Sequence, residues 1–93
     1  MPTTESVVLF VVDGMRPDGL QQADTPNADR LVAEGSATFT ARTVMPSSTL
    51  PCHTSLFRGV PSERHGVTTN NWFPPVRPVP SIIDVVHQAG GTT

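Results

Sequence analysis

The chain has no lysine and no tyrosine, one cysteine and one tryptophan, and charged side chains fill only 15% of its 93 positions. Each scarcity excludes something. The basic residues are six dispersed arginines and the net charge is −2, so the chain lacks the basic stripe that a nucleic-acid polymer requires. The charge is also too low for a self-repelling disordered tail. A lone Cys52 cannot build an intrachain disulfide framework, and the compartment expected from it is the reducing cytoplasm. The longest apolar run, Val7 to Val12, is six residues, where a membrane-spanning helix needs about 20, so no membrane partner is expected. No basic residue precedes that run, which argues against a secretory leader. With 37% apolar residues, the length allows one small domain at most.

What is present is patterned. Val7-Val8-Leu9-Phe10-Val11-Val12 is a β-branched and aromatic run ended by Asp13-Gly14, and apolar residues on both faces predict a central strand of a parallel sheet. Thr25 to Gly35 predicts a helix: Thr25 as a side-chain N-cap, Pro26 at the first position, and Gly35 in the left-handed conformation at its end. Ala37, Phe39 and Ala41 alternate with Thr38, Thr40 and Arg42, which predicts a second strand with one wetter face. A short helix is predicted from about Pro51 to Arg58, closed by Gly59. Asn70 to Pro80 holds four prolines and is expected to be an irregular loop. Ser81-Ile82-Ile83-Asp84 predicts a capping box that opens a last helix through Ala89. Strand, helix, strand, helix, loop, helix is the order of an α/β domain. The expectation is the N-terminal part of a doubly wound, mostly parallel sheet with helices on both faces, a single incomplete domain over residues 1–93.

Two segments carry candidate chemistry. Asp13 directly follows the predicted strand, where ligands of open α/β sheets collect; it is either a metal ligand or base, or a turn residue paired with Gly14. Ser47, Ser48 and Thr49 precede Pro51 at the start of a predicted helix. A hydroxyl there meets the positive end of the helix dipole, where a phosphate dianion is best held, and the competing role is ordinary N-capping by Ser48 or Thr49.

Val12-Asp13-Gly14, then Arg16-Pro17-Asp18, Thr25-Pro26-Asn27, Pro46-Ser47-Ser48-Thr49-Leu50-Pro51-Cys52-His53, and Gly59 with His65-Gly66-Val67, form an ordered series. Together they resemble the alkaline phosphatase superfamily, and within it the nucleotide pyrophosphatase/phosphodiesterase branch, over Val7 to about Gly90. The resemblance implies a doubly wound core and two divalent metal ions, usually zinc, only partly ligated by these residues. Asp13 would ligate one metal. Thr49 would be the nucleophile, bridge toward the same metal, and form a covalent phosphothreonine. The sulfatase branch places Cys or Ser at the nucleophile position, in a motif ending in Arg. Here Thr49 and His53 stand at those places, which favours phosphate over sulfate esters.

The departures matter too. Many members carry Asn right after the Pro that follows the nucleophile, with its amide on a phosphate oxygen. Cys52 stands there instead, a weak donor. Asn70 and Asn71 are the candidate replacements for substrate binding. The downstream Asp-x-x-Gly-His ligand segment and its later His have no counterpart in these residues. His65 is expected to shape a turn, His53 to be buried and hydrogen-bonded, and His87 to be partly exposed. Arg16 either meets phosphate or forms a surface salt bridge. Cys52 is expected to pack as a small buried residue. Trp72 and Phe73 either lie in a rigid loop or stack a base or leaving group; Pro75 and Pro78 have PxxP spacing. The expected activity is metal-dependent hydrolysis of phosphodiester or pyrophosphate bonds in a small-molecule phosphate ester or nucleotide. The alternatives are a phosphonate or phosphomonoester hydrolase, or a non-catalytic fragment. The 93 residues alone are expected to be inactive, and the sequence does not speak to oligomeric state.

Overall fold

A computed structural model describes residues 5–75 and 77–93. Its elements are five helices: α1 (Pro17–Gln22), α2 (Pro26–Glu34), α3 (Thr49–Arg58), α4 (Ser62–His65) and α5 (Ile82–Gln88). The chain divides into two compact units, Met1–Ala41 and Arg42–Thr93.

The expected mostly parallel sheet is not present: none of the described residues is in a strand. In the first unit Val7 to Val12 runs without regular structure, and Val7 and Phe10 are 83% and 85% exposed. The segment Ala37 to Arg42 is likewise irregular and exposed. The physical reason is that a strand is stable only against a partner. An isolated pair of strands is marginal in water, and these two short segments do not pair. Alternation and β-propensity therefore marked segments suited to a sheet without supplying the neighbours that would complete one.

The helices follow their punctuation more closely. α2 begins at Pro26 and stops before Gly35, as predicted, but by other bonds. Thr25 does not cap through its side chain; its hydroxyl donates to Asp29 Oδ1 at 3.2 Å. Gly35 is not left-handed either, with φ −116° and ψ −140°, and its N–H closes the helix on the Leu31 carbonyl at 2.9 Å. α1 was not predicted. Pro17 sits at its start, and the Arg16 guanidinium grips the Asp18 carboxylate at 3.0 Å on the surface, which assigns Arg16 to the salt bridge.

The second unit holds the small core. Pro51 is fully buried, and Val67, Ser62 and His65 are buried beside α3 and α4. α3 ends on Gly59 in the left-handed conformation at φ 68°, which a side-chain-bearing residue adopts only under strain. α5 opens on the predicted capping box: Ser81 Oγ accepts the Asp84 N–H at 3.2 Å, and Asp84 Oδ2 accepts the Ser81 N–H at 2.7 Å. The proline-rich segment before it is irregular, as expected; its Val76, within the PxxP spacing, lies outside the described residues.

Candidate active site

Helix α3 begins at Thr49, two residues earlier than predicted, with Ser48 as an extended N-cap. Ser48 makes no side-chain cap bond. The first turn is closed from a distance instead. Pro51 has no N–H, the Cys52 N–H bonds the Ser48 carbonyl at 3.1 Å, and the Leu50 N–H donates to Asn70 Oδ1 at 2.9 Å. Thr49 is therefore the first helical residue and is exposed, with its hydroxyl carbon at the positive end of the dipole. Buried Pro51 anchors the same turn from beneath.

Asn70 is thus brought to the turn that carries Thr49. Its carbonyl oxygen is committed to Leu50, so the group it has left to offer is its NH2, a pair of donors. Asn71 is engaged through its backbone: its N–H donates to Thr69 Oγ1 at 3.2 Å and its carbonyl accepts from that hydroxyl at 3.3 Å. The Cys52 thiol lies 3.9 Å from the Pro46 carbonyl and 4.0 Å from that of Val44, and it is half-buried, a correction to the buried position expected of it. His53 is only half-buried, a correction to the buried position expected of it. His87 is exposed on α5.

His65 is the polar centre of this unit. Its Nδ1 lies 3.0 Å from the Val67 amide and its Nε2 2.8 Å from Ser55 Oγ. A backbone N–H can only donate, so Nδ1 is the bare nitrogen and Nε2 carries the proton to Ser55. That polarity matters chemically. A serine is activated by a histidine lone pair, and here the lone pair facing Ser55 is occupied by a proton. Ser55 and His65 are therefore a structural clamp between α3 and α4, in accord with the turn-shaping role expected of His65, and not a nucleophile and its base.

A pocket opens beside α3. It is lined by Leu50, Thr54 and Arg58, which recur every four residues along the helix, by His65 and Val67, and by Trp72, Pro75 and Val79 of the proline-rich segment. Two arginines tie that segment down: Arg58 donates to the Val79 carbonyl, and Arg64 to that of Arg77 at 2.9 Å.

Asp13 lies in the first unit. With no strand before it, it occupies an exposed turn with Gly14, which is left-handed at φ 72°. Among the described residues no three His, Cys, Asp or Glu side chains come together to hold a metal ion. Those residues do not fit a complete metal cage; the Asp13 carboxylate offers hard oxygen donors of the kind a divalent cation takes, but from one side chain only. Among them, too, no helix is long and apolar enough to cross a membrane.

Residues 7–88 match the family described as type I phosphodiesterase/nucleotide pyrophosphatase. The chain belongs to that family. Human ectonucleotide pyrophosphatase/phosphodiesterase family member 5 is 32% identical over 76 residues, covering 82% of this chain and 16% of the relative. A bis(5'-adenosyl)-triphosphatase of Xenopus laevis is 31% identical over 71 residues, 76% of this chain and 16% of the relative. Venom phosphodiesterase of Naja atra is 33% identical over 69 residues, 72% of this chain and 8% of the relative. The chain thus spans a sixth or less of the length of these relatives. No solved structure matches it. Family membership agrees with the resemblance carried by the Asp13, Thr49 and His65 segments.

Proposed function

We propose that this chain carries the nucleophile segment of an enzyme that hydrolyses phosphodiester or pyrophosphate bonds in nucleotides. The supporting observation is the placement of Thr49 as the exposed first residue of α3, in a turn whose next amide is held by Asn70. The family match and the nucleotide named for the Xenopus relative support the substrate class.

In this reading the Thr49 hydroxyl loses its proton to solvent as its oxygen attacks phosphorus, the bond from phosphorus to the leaving oxygen breaks, and the leaving group departs with the electron pair. The product is a phosphothreonine still esterified to the retained alcohol. Water then attacks the same phosphorus, the bond to Thr49 breaks, and the hydroxyl is regenerated. The amides at the start of α3 and the NH2 of Asn70 stabilise the charge on the non-bridging oxygens. Asn71 is the second candidate donor for the substrate. Asp13 is one ligand of a divalent metal, zinc in our reading, whose other ligands come from beyond the described residues. Bound, such an ion lowers the pKa of a coordinated hydroxyl. Because the described residues form no cage of three ligands, the 93 residues alone are proposed to be inactive.

The test is hydrolysis of bis-p-nitrophenyl phosphate against p-nitrophenyl phosphate by the full-length protein. Preference for the diester, lost in Thr49→Ala, is the expected result. Diester turnover retained in Thr49→Ala rejects the assignment.

A further inference from the structure

We propose that Arg58 is a positioning residue: by holding the far end of the proline-rich segment on the last turn of α3, it keeps Asn70, at the near end, on the first turn, where Thr49 sits. The inference deepens the reading of the Asn70 NH2 as a donor to the phosphoryl oxygens, and rests on it.

The segment is fastened to one helix at two places. Asn70 Oδ1 accepts the Leu50 N–H at 2.9 Å, and the Arg58 guanidinium donates to the Val79 carbonyl. Leu50 and Arg58 are eight residues apart on α3, about 12 Å at the helical rise. Asn70 and Val79 are nine residues apart, a length that extends to roughly 30 Å when straight. The segment therefore bows between its anchors. Leu50, Thr54 and Arg58 line one side of the pocket, and Trp72, Pro75 and Val79 line the other. A chain with that much slack does not fix its own ends; the bonds at the ends do.

The two anchors are unequal. Asn70 is exposed, and its bond joins two neutral groups. Arg58 is half-buried, and its bond is charge-assisted, the stronger kind. Arg64 adds a further hold on the Arg77 carbonyl at 2.9 Å, through an exposed side chain. Pro74, Pro75 and Pro78 each lock φ, so a displacement at one end is passed along more than absorbed. Without Arg58, Asn70 is steadied mainly from upstream, through Val67, whose N–H is bonded to His65. The Asn70 NH2 then loses the fixed direction that charge stabilisation needs.

Hydrogen exchange reads this hold without any substrate. In the full-length protein Arg58→Ala is expected to speed exchange of the Leu50 amide by roughly threefold or more. Cys52, whose N–H bonds the Ser48 carbonyl in the same turn, and Val67 are expected to exchange as before. Unchanged exchange at Leu50, or equal acceleration at all three amides, overturns the proposal. Arg58→Lys keeps a cationic donor for the single carbonyl and is expected to restore slow exchange at Leu50; failure to restore it contradicts the hold on Val79. In turnover of bis-p-nitrophenyl phosphate, Arg58→Ala is expected to lower kcat roughly three- to thirtyfold with little change in KM. It is expected to add no further loss in an Asn70→Ala background, and a full additional loss there overturns positioning through Asn70. Faster exchange at Leu50 with unchanged kcat supports the hold by Arg58 and rejects Asn70 as a donor, so the two failures are separate results.

Discussion

Asn70 Oδ1 accepts the Leu50 N–H at 2.9 Å across 20 residues of sequence, and this bond closes the turn on which Thr49 sits. Asn70→Ala removes the acceptor and is expected to destabilise the fold by about 1 kcal/mol, with faster hydrogen exchange at Leu50. Asn70→Asp keeps the acceptor and loses the donors. It should restore slow exchange at Leu50 while leaving diester turnover impaired. Slow exchange in the Ala variant contradicts the capping role.

The bond pattern of His65 fixes its neutral form with the proton on Nε2. Nitrogen NMR of the ring is expected to show a protonated Nε2 and a bare Nδ1. His65→Ala leaves the buried Val67 N–H unpaired, and the expected loss is about 1 to 3 kcal/mol. A bare Nε2 contradicts this proton placement and with it the exclusion of Ser55 and His65 as a nucleophile and its base.

Ser62 Oγ is buried with no hydrogen-bond partner among the described residues. Ser62→Ala deletes only that hydroxyl. The expectation is unchanged stability or a gain of up to about 1 kcal/mol in the unfolding free energy. A marked loss contradicts an unsatisfied hydroxyl.

The Ser81 backbone N–H, then the Ser81 hydroxyl, hold the Asp84 carboxyl below the usual aspartate range. A depressed carboxyl favours the folded state above the unfolded pKa of about 4, and that contribution fades as pH falls through the lower folded value. Carboxyl NMR is expected to give Asp84 a midpoint below that of ordinary aspartates, with α5 fraying as it protonates. Asp84→Asn should remove this pH dependence. A midpoint at or above the ordinary value contradicts the capping box.

The helices were largely legible because their signals are local. Pro26, Gly59 and the Ser81–Asp84 pair act within one or two turns, and each helix end fell where they indicated. Short α1 and α4 carried too little periodicity to be seen. The strands were misjudged because the property that makes a strand, a bonded neighbour, is not written in the strand itself: Val7 to Val12 has the composition without the partner. At the site, the hydroxyl-then-proline pattern marks a helix start near Ser48 and Thr49, while the nucleophile role of Thr49 comes from the family resemblance and not from that pattern. Asn70 could be named as a donor, but its bond to Leu50 was hidden by the intervening α4 and turn. The His65 clamp was hidden likewise, since Ser55 lies ten residues away and only the folded chain fixes which nitrogen bears the proton.

The covalent step at Thr49 is the central proposed event and is open to direct trapping. Rapid acid quench of the full-length protein during turnover of a nucleotide diester, followed by peptide mass spectrometry, is expected to find the phosphoryl ester on Thr49 and no such adduct in Thr49→Ala. An adduct on any other residue, or steady turnover by Thr49→Ala, contradicts it.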